Sequence, residues 1–223
     1  KRVNPTPSAD NLTIAQTTAF KKTVWHDTRF LAFTFLVMLF AVIFFQFIFI
    51  LPLYYRDVYQ LNESGIGILL GLNGFVVFFF EMVLVYVIGK KISGRTLITL
   101  GVFMAGMSFV LLNLFQAKPI LYIAMFILSF AEILAMPYMV TYTVERAGPK
   151  TQGSYMGMYS LAYATAFVFA PLLGTWTVGN FGFEPLWWTV GIISVATAVG
   201  FLIVINDKGA VRQVSLTGSP IDS

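Results

Sequence analysis

The sequence predicts an all-α polytopic membrane protein of six transmembrane helices, arranged as a 3+3 inverted repeat. Three observations carry that expectation. Six apolar stretches, at about residues 30–54, 65–88, 96–115, 120–143, 154–177 and 186–205, are interrupted by only two acids, Glu81 and Glu132, and by no base. Each is long enough to cross ~30 Å of hydrocarbon as a helix. The bases also sort by alternate loops. Lys1, Arg2, Lys21, Lys22, Arg29, Lys90, Lys91, Arg95, Arg146, Lys150, Lys208 and Arg212 fall in one set of segments, and only Arg56 and Lys118 in the other. By the positive-inside rule this asymmetry places both termini in the cytoplasm. Finally, a chain of 223 residues that is 58% hydrophobic and 11% charged cannot hide its apolar surface as a soluble domain.

Taken in order, residues 1–29 read as a cytoplasmic linker. Pro5, Pro7, Ser8 and Asp10 make a flexible start, and Leu12, Ile14, Phe20, Val24 and Trp25 form a weakly amphipathic stretch. That stretch either lies on the inner membrane surface or stays disordered. Residues 30–205 form the six-helix bundle. The first span carries Gln46, a run of phenylalanines and Pro52; the second carries Asn73 and Glu81, with Gly67, Leu70 and Gly74 on the face of Glu81. The fourth holds Glu132 and Pro137. The fifth holds Tyr155, Tyr159 and Tyr163 four apart, and a small-residue seam of Ala162, Ala166, Ala170 and Gly174 suited to close helix packing. The sixth is followed by a polar tail, 206–223, with Gly209, Gly218 and Pro220. Short outer loops at about 55–64, 116–119 and 178–185 make consecutive helices antiparallel neighbours.

A faint echo links the two halves of the bundle. Gly67, Asn73, Phe79 and Glu81 of the second span recur ninety residues on as Gly157, Tyr163, Phe169 and Pro171, and Gln46 before Pro52 parallels Glu132 before Pro137. Three spans per half is an odd number, so the halves have opposite orientation. That is the inverted-repeat plan of many secondary transporters, whose sites sit near the bilayer midplane.

Composition excludes several functions. Cysteine is absent, which removes thiolate and disulfide chemistry, and the single histidine, His26, has no partner at metal-ligand spacing. There is no activated serine, paired carboxylate or cofactor fingerprint, so neither an enzyme, a metal site nor a cofactor is expected. The net charge of +4 comes from bases flanking spans, where they meet lipid headgroups, not nucleic acid. The first apolar run is too long for the core of a signal peptide. A start at Lys1 reads as a fragment or a processed chain. Asn62-Glu63-Ser64 fits a glycosylation sequon but hugs the membrane and is discounted.

Two loops and two helix segments carry a resemblance. They are Gly89-Lys90-Lys91-Ile92-Ser93-Gly94-Arg95, the connection from Glu145-Arg146 through Gly153 to Gly157, Leu51-Pro52-Leu53-Tyr54-Tyr55, and the fourth-span segment from Phe130 through Glu132 to Pro137. Over about residues 25–205 the chain resembles the C-terminal half of a major facilitator superfamily transporter, most like the bacterial drug:proton antiporters. The resemblance implies half of that fold, a bacterial inner-membrane location, and an N-terminal six-helix half either missing here or on a separate chain. It makes Gly89, Lys90, Lys91, Arg95, Arg146 and Gly153 loop and gating residues. There the glycines would permit close backbone approach and the bases would hold orientation or pair with acids.

Glu132 is the leading candidate site residue. A carboxylate at mid-membrane costs ~2.5–3.5 kcal/mol or more, so it should face a polar cavity or carry a proton. Met125, Met136, Met139 and Thr143 share its helical face, with Tyr138 and Tyr142 a quarter turn away. A carboxylate among methionines and aromatics suits a lipophilic cation. A structural, protonated glutamate bonded to a neighbouring helix is the competing reading. For Glu81 a tight helix contact or a cytoplasmic gate ion pair competes with substrate or proton coupling. Gln46, Asn73, Tyr138 and Tyr159 complete the candidate set for substrate or proton, with interhelical bonding and packing as the alternatives. The expected function is half of a proton-coupled secondary transporter exporting lipophilic or cationic small molecules by alternating access. Uptake of peptides or another solute is the second reading, and a non-transporting membrane module or inactive remnant the third.

Overall fold

The computed structural model describes residues 24–89 and 91–205. The linker before Val24, Lys90 and the polar tail lie outside these described residues, as does most of the amphipathic stretch expected near the start. Six helices are long and apolar enough to cross a membrane: Thr28–Asp57, Glu63–Gly89, Gly94–Leu114, Lys118–Arg146, Gln152–Phe181 and Phe183–Val204. We call these the first to sixth spans. No strand occurs among the described residues.

Helix ends follow capping chemistry more than apolar content. Asp27 caps the first span by accepting the Phe30 amide at 3.1 Å, so the helix starts at Thr28 and not at residue 30. Val24 is buried in the core; the last residues assigned to the linker thus belong to the bundle. The first span turns irregular at Ile50 and resumes as Leu51–Asp57, with Pro52 in its first turn. There proline's missing N–H costs nothing. Asn62 accepts the Gly65 amide and Ser93 the Thr96 amide, which set the starts of the second and third spans. The expected outer loop at 178–185 shrinks to Gly182, whose φ of 86° lies in the left-handed region that glycine adopts without strain. Arg56 and Lys118, placed in loops by their charge, sit in helix-terminal turns.

In a bilayer, lipid tails are as apolar as leucine, so helices associate through close packing and polar clips. The contact pattern repeats with inverted symmetry. The first span packs on the fifth and sixth, the fourth on the second and third, and the third on the sixth. Glycines mark the tightest crossings. A Cβ on Gly101 would sit 2.6 Å from the Ala131 carbonyl, one on Gly174 2.4 Å from the Gln46 side chain, and one on Gly106 2.2 Å from Ser194. Ala162, Ala166, Ala170 and Gly174 are the buried seam of the fifth span. Phe33, Phe40, Phe109 and Trp187 fill the interior, with Phe109 and Trp187 stacked at 5.1 Å.

Two spans are peripheral. Only 17% of the second and 22% of the fifth is buried, against 39–56% for the others. They flank one open side of the bundle, with the fourth span between them.

Candidate functional site

Glu132 is the midpoint of the 29-residue fourth span. It is partly buried, and its Oε2 accepts a hydrogen bond from Asn73 Nδ2 of the second span at 3.0 Å. Asn73 also donates to Ser129 Oγ at 3.1 Å, and Ser129 in turn donates to the Met125 carbonyl at 2.9 Å. Ser129 and Glu132 are three apart, so one helical face presents both to a single amide. Asn73 is thereby oriented with its two N–H groups toward acceptors. The clasp leaves the other carboxyl oxygen of Glu132 available for a proton or a ligand.

Beside the clasp, Glu81, Met136, Pro137, Val140, Tyr159 and Tyr163 line an open groove of about 520 Å³ between the second, fourth and fifth spans. The Tyr159 and Tyr163 rings lie 5.1 Å apart. The glycines on the face of Glu81 do not make the tight helix contact expected there, and Lys90, one of the bases expected to pair with it, lies outside the described residues. Glu81 has no ion-pair partner among the described residues, and Gly67 and Gly74, expected on its packed face, meet open space. One acid, two phenols and a thioether therefore share one groove, with no base among its lining residues, and Glu132 lies on the fourth span one turn before Met136 of its wall.

Other expected members do not join it. Gln46 donates to the Val42 and Ala170 carbonyls at 3.2 and 3.1 Å, so it clips the first span to the fifth. By the inverted symmetry this clip is the counterpart of Asn73–Glu132, which ties the second span to the fourth. Tyr138 donates to the Val85 carbonyl at 3.1 Å, toward the end of the second span, and does not support Glu132. Met125, Met139 and Thr143, on the helical face of Glu132, are fully buried core residues; Met136 alone of that group reaches the groove. Helical periodicity places residues by angle alone and cannot say which neighbouring helix covers that angle.

The loop residues also separate. A Cβ on Gly89 would approach the Tyr138 hydroxyl to 2.7 Å, whereas Gly153 and Gly157 have nothing within 4 Å. Close approach thus explains Gly89 but not Gly153. Lys91 is exposed. The Arg95 guanidinium donates to the Leu202 carbonyl at the end of the sixth span. Arg146 meets Asp27 through two 2.8 Å hydrogen bonds, and the Tyr155 hydroxyl donates to the same carboxylate at 3.1 Å. Arg146 beside it holds the Asp27 carboxyl below the usual carboxylate range, against partial burial and with help from the Phe30 amide. Asp27 is a residue that sequence reasoning missed. An aspartate immediately before an apolar helix was the available signal.

Among the described residues no group of three His, Cys, Asp or Glu is placed to hold a metal ion.

Comparison with known proteins agrees with this architecture. The sequence profile of the Major Facilitator Superfamily matches residues 1–166 and 119–220. No curated protein matches the chain. Similar solved structures include a POT family transporter in complex with 5-aminolevulinic acid, at TM-score 0.69 and 17% identity, covering 86% of this chain and 46% of that one. Another is a POT family transporter in complex with a thioalcohol-conjugated peptide, at TM-score 0.69 and 18% identity, with the same coverage of 86% and 46%. At these identities the likeness is one of fold. The chain spans about half the length of those transporters. The family consists of transporters, not enzymes. This multi-pass membrane chain belongs to the Major Facilitator Superfamily, and its six helices form half of that fold.

Proposed function

We propose that the chain is the C-terminal half of a proton-coupled carrier that exports lipophilic or cationic small molecules by alternating access. In this reading its basic loops face the cytoplasm, and a second six-helix bundle covers the open side between the second and fifth spans. The single supporting observation is the groove lined by Glu81, Tyr159, Tyr163 and Met136, beside Glu132 held by Asn73. A groove with an acid in its wall, a second acid beside it and no base favours a cation. Phenol faces add cation–π attraction of about 0.5–2 kcal/mol, and the thioether supplies soft, adaptable contact. Glu132 exchanges a proton for the cation, so that one carboxylate is neutralised by either and both need not be present together.

The test is proton-driven efflux of a fluorescent lipophilic cation by the full-length protein in everted vesicles. Glu132→Gln should lower efflux at least tenfold while the protein still reaches the membrane. Unchanged efflux in that variant removes Glu132 from the mechanism. A second reading, proton-coupled uptake of peptides or similar solutes, has support in the complexes formed by the structural neighbours. It needs a base for the substrate carboxylate, which in this groove is absent among the lining residues and would come from the other half. Dipeptide uptake without cation efflux would favour it.

A further inference from the structure

The fourth span carries a backbone acceptor that its own helix leaves unused, in the wall of the groove. Pro137 lies inside this helix. A proline has no N–H, so the Ile133 carbonyl one turn earlier lacks the partner that any other residue at 137 would supply. We propose that this carbonyl accepts a hydrogen bond from the bound cation, so that the groove selects protonated amines bearing an N–H over quaternary ammonium ions of the same body. The inference rests on the cation export proposed above and narrows its substrate to one class.

Helix geometry sets where the oxygen points. In an α-helix the carbonyl of residue i points along the axis at the nitrogen of residue i+4. That nitrogen belongs to the Pro137 ring and follows Met136 directly, and both Met136 and Pro137 line the groove. The Ile133 side chain is buried, but its carbonyl oxygen falls between these two wall residues. The ring crowds that carbonyl and bends the helix away from it. Nearby side-chain donors are engaged elsewhere. The Thr141 hydroxyl donates to the Pro137 carbonyl at 2.8 Å, the Tyr138 hydroxyl to the Val85 carbonyl at 3.1 Å, and the Asn73 amide to Ser129 and Glu132.

A neutral acceptor distinguishes cations that the other wall residues treat alike. Charge attraction to Glu81 and contact with the faces of Tyr159 and Tyr163 act on any ammonium. Only an N–H can satisfy the carbonyl oxygen. An N-methyl group in its place strips water from the oxygen and leaves it unpaired. Pro171, inside the fifth span, is not among the groove's lining residues, so the carbonyl it frees takes no part in this selection.

The experiment measures equilibrium binding of two radiolabelled cations to the full-length protein at neutral pH. One is protonated biphenylmethyl-dimethylamine; the other is its N-methylated counterpart, biphenylmethyl-trimethylammonium. The tertiary ammonium should bind about tenfold more tightly, the effect of one charge-assisted hydrogen bond in an open groove. Pro137→Ala and Pro137→Ser each return an N–H to the Ile133 carbonyl and should bring the two dissociation constants within about twofold of each other. Pro171→Ala should keep the tenfold preference. Melting curves confirm that each variant is folded. Equal binding of the two cations by the parent, a preference that survives in the folded Pro137 variants, or loss of both cations together in those variants overturns the inference. Absence of binding of either cation by the parent refutes the export reading, and this inference with it.

Discussion

Asp27 ties three helix ends together, so its replacement should separate a helix cap from an ion pair. Its carboxylate accepts the Phe30 amide at 3.1 Å, Arg146 twice at 2.8 Å and the Tyr155 hydroxyl at 3.1 Å. Asp27→Asn keeps a side-chain oxygen for the cap, where asparagine serves as well as aspartate, and loses the charged partner of Arg146 together with the acceptor of the Tyr155 hydroxyl. A bidentate charged hydrogen bond contributes about 1.5–3 kcal/mol when shielded. With the Asp27 and Arg146 side chains 16% and 33% exposed, solvent screening moves the value toward 1 kcal/mol. Asp27→Asn should therefore cost about 1–2 kcal/mol, and Asp27→Ala about one more for the lost cap. At roughly 2–4 °C per kcal/mol for a chain of this size, thermal unfolding in detergent resolves the series. Asp27→Asn combined with Arg146→Gln should cost little more than either single change, because both remove one interaction. The pH dependence has a definite sign. The folded-state carboxyl is held below its usual range, chiefly by Arg146. Its contribution is thus complete above the ordinary aspartate range and is lost as pH falls through the lowered folded value, below about pH 4. Asp27→Asn should lack that acid-side loss. Equal melting of Asp27→Asn and the parent, or single costs that simply add in the double variant, refutes the ion-pair account.

Two further outcomes follow from the packing and the clasp. Gly101→Ala places a methyl 2.6 Å from the Ala131 carbonyl and should destabilise the bundle by about 1–3 kcal/mol; Gly179→Ala, with nothing within 4 Å, should melt like the parent. Asn73→Leu removes the donor to Glu132 and Ser129. Two interhelical bonds at about 0.6 kcal/mol each should move melting by only about 2–5 °C, while cation efflux falls roughly tenfold. A proportionate loss of both would mark Asn73 as a packing residue alone.

What the sequence determined by itself is the set of six spans and their character. Hydrocarbon about 30 Å thick demands long apolar runs with satisfied backbones, and that demand is written locally in residue order. The small-residue seam from Ala162 to Gly174 was readable for the same reason, since spacing on one helix reports one face. Helix ends were less legible: Thr28, the turns holding Arg56 and Lys118, and the one-residue turn at Gly182 depend on caps and backbone conformation more than on hydropathy. Only tertiary structure decided the site. Glu132 and Asn73 are 59 residues apart yet share a hydrogen bond, Glu81 and Tyr159 sit on different helices yet line one groove, and Met125 and Met139, on the angle of Glu132, face the core. Asp27, Arg146 and Tyr155 likewise converge from three helix ends. A side chain's angle about its own helix is set by local geometry, but what fills that angle is set by which other helix packs there, and no single segment encodes its neighbour.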